Sequence, residues 1–415
     1  MTATTARRTS AAGTIAWAAR QAGVALPVRV RAWDGSESGP AGPPVLVLRS
    51  PQALRRILWR PGELGLARAY VSGDLDVEGD LTEGLRRFWD AVRDARTGWG
   101  PARLARAASA SVLAASRLGV FGPPPEPPAC ELHHAGRVHS RARDQAVIAG
   151  HYDLPAAFFR LVLDPSMAYS SGYWTSSEPG YDLADAQRDK LDLVCRKLGL
   201  EPGSTLLDTG CGWGSLTVHA AQQYKAQVTG ITLSAEQGGY ARARLRGLGL
   251  TDRAVISVQD YRDDAGGAYD AIASLEMGEH VGAAGYPAFC AALRARLRPG
   301  GRLLIQQMSR GKNAPGGGPF IESYVAADMH MRPVGETVEL LEQAKLEVLG
   351  VQSLRPDYVR TIRAWLENLE RNFDEVAGLI GEERARAWRL YLAGGALAFE
   401  DGRMGVDQIL AVRRE

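Results

Sequence analysis

The sequence contains few cysteines and histidines, and neither residue type is arranged as a metal site or a disulfide framework. The four cysteines are far apart without any CxxC pair, and the seven histidines show no HExxH or similar spacing. Structural zinc needs closely spaced Cys and His ligands, and disulfide scaffolds are dense in cysteine. We therefore predict no metal and no disulfide, a pattern typical of the reducing cytoplasm.

Long apolar runs are also missing. No stretch reaches the length of about 18 apolar residues that a membrane-spanning helix needs. The start, MTATTARRTSAAG, has two arginines but no apolar core of the kind found in signal peptides. We predict a cytoplasmic protein that associates with the inner face of the membrane only peripherally.

Acidic residues are scarce at the start of the chain. Residues 1–60 contain nine arginines but only Asp34 and Glu37 as acidic residues, although the net charge of the whole chain is only +2. A basic segment favours an anionic partner such as phospholipid or nucleic acid, and a solvated surface would have the same composition.

The 415 residues are enough for two domains. Residues 1–121 mix short β-rich runs such as PVRVRAW with helical segments, which predicts a smaller N-terminal α+β domain. Its last helix, within 101–122, is basic and weakly amphipathic, which suits membrane contact or simple packing. A proline-rich linker follows over 122–139. We expect the N-terminal domain to contact lipid or to form a homodimer.

Residues 140–415 alternate between short β-rich runs and helical spacing. The runs are STLLD, QVTGIT, AVISVQD, YDAIASLE and GRLLIQQMS, and a helix-rich part over 335–400 precedes a last strand, GVDQILAVRR. This alternation predicts an α/β domain with a mostly parallel sheet.

The segment LLDTGCGWGSL, residues 206–216, predicts a ligand-binding turn between a strand and a helix. Gly210, Gly212 and Gly214 leave the backbone open to close approach by a ligand. The GxGxG spacing differs from the GxGxxG of dinucleotide sites, and no GK[ST] of a phosphate-binding loop follows. A glycine run alone is also compatible with a plain tight turn.

Polar side chains follow three of the predicted strands, at the sheet edge where such folds bind ligands. They are Asp208, Thr232, Ser234, Gln237, Asp260 and Tyr261. Asp260 suits an adenine amine and Tyr261 suits stacking on the ring, whereas the acidic residue that would contact an NAD ribose is missing. The set predicts S-adenosylmethionine as the cofactor.

Several longer motifs resemble the cyclopropane fatty acid synthase family, which includes the mycolic acid methyltransferases. They are HYDLPAAFFRLVLDPSMAYSSGYW (151–174), LLDTGCGWGSL, GITLSAEQ, QDYRD and SLEMGEHVG (274–282). The resemblance covers about residue 140 to the C-terminus, and 24–95 resemble the N-terminal domain of longer synthases. It implies a class I S-adenosylmethionine-dependent methyltransferase fold, which is a Rossmann-like seven-stranded sheet with one antiparallel strand.

The resemblance implies methyl transfer from S-adenosylmethionine to the cis double bond of an unsaturated phospholipid acyl chain. It adds Tyr169 and Ser170 as cofactor contacts, and Tyr152 as a residue that helps to close the pocket. Transfer leaves a carbocation, from which a base must remove a proton. In the family this base is a bicarbonate ion held by a Glu, a Tyr, a Cys and a His.

The predicted base site differs from the family at two positions. Glu279 and Tyr358 match the family's Glu and Tyr, whereas Ser171 replaces the Cys and Gln306 replaces the His. Ser and Gln hydrogen-bond an ion but supply neither a thiol nor an imidazole. Bicarbonate is one hypothesis for the base. Glu276, paired with Glu279, is the other, and a structural role for Glu276 is equally compatible.

The base site bears on the product. Loss of a proton from the new methyl closes a cyclopropane. The same loss after a hydride shift leaves a methylene branch, of 10-methylene stearoyl type, which a separate reductase could convert to a methyl. The altered base site favours the methylene product, with a cyclopropane as the alternative.

Two other classes of function are compatible with parts of the sequence. A non-catalytic lipid-binding protein would account for the altered base site, but the glycine turn, Glu279 and Tyr358 are intact. A small-molecule or nucleic-acid methyltransferase would use the same sheet, but the amino-methylation motif is missing after the fourth strand. The basic N-terminus alone does not support a nucleic-acid partner, and we predict none.

Overall fold

The computed structural model describes residues 10–96, 100–133, 135–144, 147, 154–263, 267–312 and 316–414. The chain divides into two compact units. The first comprises Met1–Glu131 and Glu383–Gly394, and the second comprises Leu132–Glu382 and Gly395–Glu415. The first unit thus ends inside the predicted linker and includes a segment from near the C-terminus, which no sequence pattern indicated.

The first unit is α+β, as the sequence predicts. Its sheet has the order β2 (Glu37–Ser38), β1 (Arg29–Arg31), β3 (Val45–Leu48) and β4 (Leu75–Glu78), with only β1 and β3 parallel. Its helices are α1 (Ala11–Gln21), α2 (Gln52–Trp59), α3 (Glu63–Val71), α4 (Leu81–Arg96) and α5 (Pro101–Arg117).

The second unit is built on a seven-stranded sheet. The strands are β5 (Thr205–Thr209), β6 (Gln227–Thr232), β7 (Ala254–Val258), β8 (Tyr269–Leu275), β9 (Leu297–Arg310), β10 (Leu346–Ser353) and β11 (Met404–Arg413). Their order is β10-β11-β9-β8-β5-β6-β7, and β11 runs antiparallel to both neighbours. This arrangement confirms the predicted class I sheet, and it places one strand, β10, within the helix-rich part predicted over 335–400.

Helices and loops connect these strands. They are α6 (Ala156–Val162), α7 (Leu183–Leu198), α8 (Ser215–Gln223), α9 (Ala235–Gly247), α10 (Tyr286–Arg296), α11 (Pro319–Tyr324), α12 (Val334–Gln343), α13 (Arg355–Arg371), α14 (Phe373–Ile380) and α15 (Glu382–Glu400). A single 3-10 turn, Gly278–His280, follows β8. Among the described residues, no helix is long and apolar enough to span a membrane.

The core of the second unit lies on both faces of the sheet. Successive strand residues point to opposite faces, so Leu206 packs into one apolar cluster and Leu207 into the other. Strand β5 has the sequence TLLDT and is buried on both faces, so its polar residues Asp208 and Thr209 are also almost inaccessible to solvent. In the strand order β5 lies between β8 and β6, so the turn that follows it lies at the carboxyl edge of the sheet, away from both edge strands.

Candidate active site

The glycine turn after β5 requires glycine for local steric reasons. Gly210 has φ +77°, and a Cβ there would lie 2.9 Å from Cγ of Met277. Gly214 has φ +83°, and a Cβ there would lie 3.0 Å from Cβ of Ala241. A side chain at either position would add a steric clash to an unfavourable backbone conformation. The turn therefore keeps its backbone close to the neighbouring segments.

A pocket opens beside this turn, at the carboxyl edge of the sheet. The predicted residues that line it are Tyr169, Ser170, Asp208, Gly210, Gly212, Thr232, Gln237, Tyr261 and Glu276. They come from several distant parts of the chain, which parallel strands bring to one edge. The structure thus places most of the predicted cofactor contacts around a single cavity.

Two other residues predicted to bind the cofactor have structural roles next to the pocket. Ser234 caps α9, because its Oγ accepts a 3.2 Å hydrogen bond from the backbone N–H of Gln237. Gly214 precedes the first residue of α8. Neither is among the lining residues. Tyr152, the predicted closing residue, lies outside the described residues.

Asp260 is engaged with a neighbour and does not line the pocket. Its carboxylate accepts hydrogen bonds from Nε and Nη2 of Arg262 at 2.8 and 2.5 Å. Burial opposes ionisation there, but Arg262 holds the pKa of Asp260 below its usual value. The preceding residue, Gln259, lines the pocket beside Tyr261. The pocket is therefore lined by Gln259, whereas the sequence analysis predicted the carboxylate of Asp260.

Several lining residues were not singled out by the sequence, among them Met167, Trp213, Met277 and His280. Apolar residues and a lone histidine have no pattern that distinguishes a pocket wall from a core. Burial lowers the pKa of His280 to about 4, so the imidazole is neutral at physiological pH. An uncharged wall at this position suits a cationic ligand.

Two buried charged side chains lie at the pocket: Asp208 lines it, and Lys190 contacts the lining residue Ser170. Asp208 accepts a 2.7 Å hydrogen bond from Oγ1 of Thr217, and burial raises the pKa of its carboxyl to about 6. Lys190 is fully buried, and its Nζ donates a 2.6 Å hydrogen bond to Oγ of Ser170. Burial lowers the pKa of Lys190 to about 8. Lys190 thus orients Ser170 at the pocket wall, a role that the sequence did not indicate.

Glu276 is the carboxylate at which three donors converge. Its Oε1 accepts hydrogen bonds of 2.8 Å from the backbone N–H of Ser171 and from Nε2 of Gln306. Its Oε2 accepts a hydrogen bond of 2.8 Å from the Tyr358 hydroxyl. The backbone of Glu276 has φ +51°, an unusual conformation for a residue other than glycine. Strain of this kind is most often kept at functional sites.

Glu279 lies one turn further along and is more deeply enclosed. Its Oε1 accepts a 2.5 Å hydrogen bond from the backbone N–H of Met308, while its Oε2 has no partner among the described residues. Burial, with the negative charge of Glu276 nearby, raises the pKa of Glu279 to about 8. At neutral pH Glu279 is therefore mainly protonated. Burial also raises the pKa of Glu276, but the three donors oppose that shift.

The predicted base residues therefore meet, but in an arrangement that the sequence did not indicate. Ser171 uses its backbone N–H, while its Oγ donates to the carbonyl of Gly172. Gln306 uses its amide, and Tyr358 uses its hydroxyl. All three donors are directed to a carboxylate of the chain itself. A cage for a separate bicarbonate ion does not fit this arrangement, because its donors are already engaged.

Aromatic rings extend from the pocket beside the glycine turn to Tyr358. The Tyr169 ring lies 5.3 Å from that of Trp365, and the Trp365 ring lies 5.9 Å from that of Tyr358. Trp365 is fully buried, and Tyr169 lines the pocket. An aromatic face stabilises a cation that lies within about 6 Å of its ring centre. The guanidinium carbon of Arg360 lies 4.2 Å from the ring centre of Trp174.

Comparison with known proteins identifies the family. The model described as mycolic acid cyclopropane synthetase matches residues 139–409. The chain belongs to this family. It is 37% identical to a protein of Pseudomonas putida named "Probable fatty acid methyltransferase", over 94% of this chain and 92% of that protein.

Two further similarities place the family match in context. A protein of Mycobacterium tuberculosis named "Tuberculostearic acid methyltransferase" is 31% identical over 95% of this chain and 90% of its own length. The crystal structure of a mycolic acid cyclopropane synthase complexed with SAH and CTAB superposes with a TM-score of 0.61 and 29% identity. The superposed part covers 65% of this chain and 98% of the synthase chain.

These similarities confirm the fold class and the enzyme class predicted from the sequence. The protein is an S-adenosylmethionine-dependent methyltransferase of the mycolic acid cyclopropane synthetase family. The pocket beside the glycine turn is the part of the fold suited to that cofactor, because it combines open backbone, a buried carboxylate and uncharged walls.

Proposed function

We propose that this enzyme transfers a methyl group from S-adenosylmethionine to the cis double bond of a phospholipid acyl chain, and that Glu276 is its base. The observation that carries the proposal is the position of Glu276. This residue lines the pocket beside the glycine turn, and its carboxylate accepts hydrogen bonds from Ser171, Gln306 and Tyr358. A fixed acceptor beside the methyl donor suits a reaction that ends in proton removal.

The chemistry requires each part of this arrangement. An alkene is a weak nucleophile, so the double bond must be aligned with the sulfonium methyl in a site without water. The π electrons form the new C–C bond while the S–CH₃ bond breaks and leaves S-adenosylhomocysteine. The neighbouring carbon becomes a carbocation, which the rings of Tyr169 and Trp365 can stabilise. The carboxylate of Glu276 then accepts a proton.

The two glutamates have different environments, which supports different roles. Glu279 is mainly protonated at neutral pH because burial and the charge of Glu276 raise its pKa to about 8. Glu276 accepts three hydrogen bonds, which favour its ionised form, and Lys190 contributes a nearby positive charge. When two carboxyls lie together, the one with more donors keeps the charge. Glu276 is therefore the group that is ready to accept a proton.

We further propose that bicarbonate is not needed here, because Glu276 supplies a carboxylate within the chain. The groups predicted to hold the ion, Ser171, Gln306 and Tyr358, all donate to Glu276. No step of the mechanism requires an added ion.

The favoured product is a mid-chain methylene branch. The hydrogen bonds to Glu276 must weaken as it takes up a proton, which slows proton removal, whereas a hydride shift needs no protein group. After the shift, loss of a proton from the new methyl gives the methylene. A related protein named for tuberculostearic acid, 31% identical to this chain, supports this choice. A separate reductase would then be needed to give a methyl branch.

A cyclopropane is the second candidate product, since relatives named "Cyclopropane-fatty-acyl-phospholipid synthase" are 34% identical over 63% of this chain. Incubation with oleate-containing phospholipid vesicles and methyl-labelled S-adenosylmethionine tests the activity. Labelled acyl chains that add hydrogen on catalytic hydrogenation are expected. A hydrogenation-resistant ring would identify a cyclopropane synthase. Absence of lipid label would reject the function and favour a non-catalytic lipid-binding protein.

The first unit presents a surface that suits peripheral contact with anionic phospholipid. Trp59 and Phe121 are 52% and 57% exposed. They lie together, because the Trp59 indole N–H donates to the carbonyl of Gly122 and Arg55 donates to the carbonyl of Phe121. Three further apolar side chains of α5 are exposed, namely Leu104, Val112 and Leu113. Apolar side chains among arginines are typical of surfaces that enter a membrane interface. A homodimer through this unit is the competing expectation.

A further inference from the structure

A chain of side-chain hydrogen bonds runs from Glu276 to a lysine on the far side of β11. Gln306 Nε2 donates to Glu276 Oε1 at 2.8 Å, and Gln408 Nε2 donates to Gln306 Oε1 at 2.9 Å. Lys197 Nζ donates to Gln408 Oε1 at 2.7 Å and to Oε1 of Gln352 at 2.6 Å. Gln306 and Gln408 are almost fully buried and face each other across the β9–β11 pairing.

The groups at the two ends of this series of hydrogen bonds, Lys197 and Glu276, determine how the amide groups between them are oriented. An ammonium group only donates hydrogen bonds and an ionised carboxylate only accepts them. Lys197 therefore requires the oxygen of Gln408 to face it, which turns the amide nitrogen of Gln408 toward Gln306. Gln306 must then accept with its oxygen and present its own nitrogen to Glu276. Each amide group has one orientation that satisfies every partner.

This direction matters when Glu276 is protonated. A protonated carboxyl is best stabilised by an acceptor for its new O–H. Within this series of hydrogen bonds, Gln306 has the amide oxygen that could turn toward Glu276. Rotation of Gln306 would require Gln408 to rotate as well, and Gln408 would then present N–H groups to Lys197. Two facing donors in a buried site are unfavourable. The ammonium group thus disfavours the protonated form of Glu276.

We propose that Lys197 is a positioning residue that acts through Gln408 and Gln306 to keep Glu276 ionised and ready to accept the substrate proton. This inference rests on the proposed role of Glu276 as the base. Lys197 is not among the residues that line the pocket. Burial lowers the pKa of Lys197 to about 8, so the ammonium form still predominates at neutral pH.

The other charged groups near this chain remain in place when Lys197 is replaced. Lys190, Glu279 and the Tyr358 hydroxyl face Glu276. Arg302 donates to the main-chain carbonyl of Lys197, not to its side chain. A change in the ionisation of Glu276 in a Lys197 variant would therefore come through the two glutamines.

The test is the pH dependence of kcat for lipid methylation by the full-length protein. Lys197→Met is expected to move the acid limb to higher pH by about 0.5–1 unit and to lower kcat several-fold at pH 6. Lys197→Arg should restore most of the wild-type profile. Affinity for S-adenosylmethionine should stay within about twofold, and Lys225→Met, at an exposed lysine, should leave the profile unchanged.

Gln408→Glu is a second test variant, because a glutamate side chain has nearly the same shape as the glutamine it replaces. Its carboxylate can accept from Lys197 but cannot donate to Gln306, so Gln306 is expected to turn its carbonyl toward Glu276. The acid limb should move further than in Lys197→Met. An unchanged limb in either folded variant would overturn the proposal while leaving Glu276 as the base. A wild-type enzyme that does not methylate lipid would instead overturn the proposed function.

Discussion

The hydroxyl of Tyr358 on α13 donates a 2.8 Å hydrogen bond to Oε2 of Glu276, which directly follows β8. The two residues are far apart in the sequence and meet at the wall of the cofactor pocket. This contact fixes the second oxygen of the carboxylate, since Ser171 and Gln306 both donate to the first. The orientation of the proposed base thus depends on three separate segments of the chain.

Removal of the Tyr358 hydroxyl should weaken the base without affecting the cofactor. Tyr358→Phe removes one hydrogen bond to a charged group, so kcat at neutral pH is expected to fall about 10- to 100-fold. The dissociation constant for S-adenosylmethionine should change little, as measured by calorimetry. Tyr224→Phe removes a similar hydrogen bond to Asp192, away from the pocket, and should retain activity. Equal losses in both variants would contradict the role of Tyr358.

The methylation rate lost when the carboxylate of Glu276 is removed should be partly restored by a small added carboxylate. Glu276→Ala removes the carboxylate but leaves its three donors, so kcat should fall at least about 100-fold. Added formate or bicarbonate should restore part of the rate, because a small carboxylate can occupy the freed space. Glu276→Gln should be equally slow but should resist rescue, since its amide fills that space. Rescue by chloride to the same extent would point to a general salt effect and against a carboxylate base.

The glycine turn should be intolerant of a single methyl group. Gly210→Ala places a Cβ 2.9 Å from Met277 at a φ of +77°, so the affinity for S-adenosylmethionine should fall at least about tenfold. Gly239→Ala is the control, because a Cβ there meets no atom within 4 Å and the position is helical. It should bind the cofactor normally and be slightly more stable. Normal cofactor binding by Gly210→Ala would place the cofactor elsewhere.

The buried carboxyl of Glu279 should make stability fall as the pH rises. Its pKa is raised from an ordinary value near 4.3 to about 8. Between these pH values the folded state holds a proton that the unfolded state has released, so the free energy of unfolding falls by up to about 1.4 kcal/mol per pH unit. Glu279→Gln should flatten this dependence in urea unfolding at pH 6 and 8. Glu339→Gln, at an exposed site, should keep the wild-type slope.

The proposed membrane surface can be tested with paired variants of similar exposure. Trp59→Ser with Phe121→Ser should weaken binding to anionic phospholipid vesicles at least about tenfold. Leu349→Ser with Val351→Ser changes two side chains that are 50% and 48% exposed in the second unit and should bind as the wild type does. Loss of self-association instead of vesicle binding in the first pair would identify a dimer surface.

Local patterns in the sequence predicted six of the strands and the glycine turn, whereas the family resemblance implied the seven-stranded sheet, Tyr169 and Ser170. Apolar runs marked the strands, and glycine spacing marked the turn where Gly210 and Gly214 adopt positive φ. Strand β10 was missed because its residues are largely exposed and alternate weakly. Asp260 was assigned to the cofactor because nothing in the sequence shows that Arg262 is directed back to it.

The arrangement of the base site could not be read from the sequence for a different reason. Family motifs pointed to Ser171, Gln306 and Tyr358 as ligands of an ion, and Glu276 was left with two interpretations. Only the three-dimensional structure brings all three donors to Glu276. The buried Lys190 and the half-buried Lys197 carried no motif, because an isolated lysine in a helix is usually a solvated residue.

The most direct test of the central claim uses a bacterium that contains oleate in its phospholipids, expresses this enzyme and is fed trideuteromethyl-labelled methionine. We predict acyl chains that gain one carbon carrying two deuterium atoms, because Glu276 removes the third, with an unsaturation that hydrogenation removes. The Glu276→Gln variant should give almost none of this product. Acyl chains that keep all three deuterium atoms, or wild-type levels of product from the variant, would contradict the account.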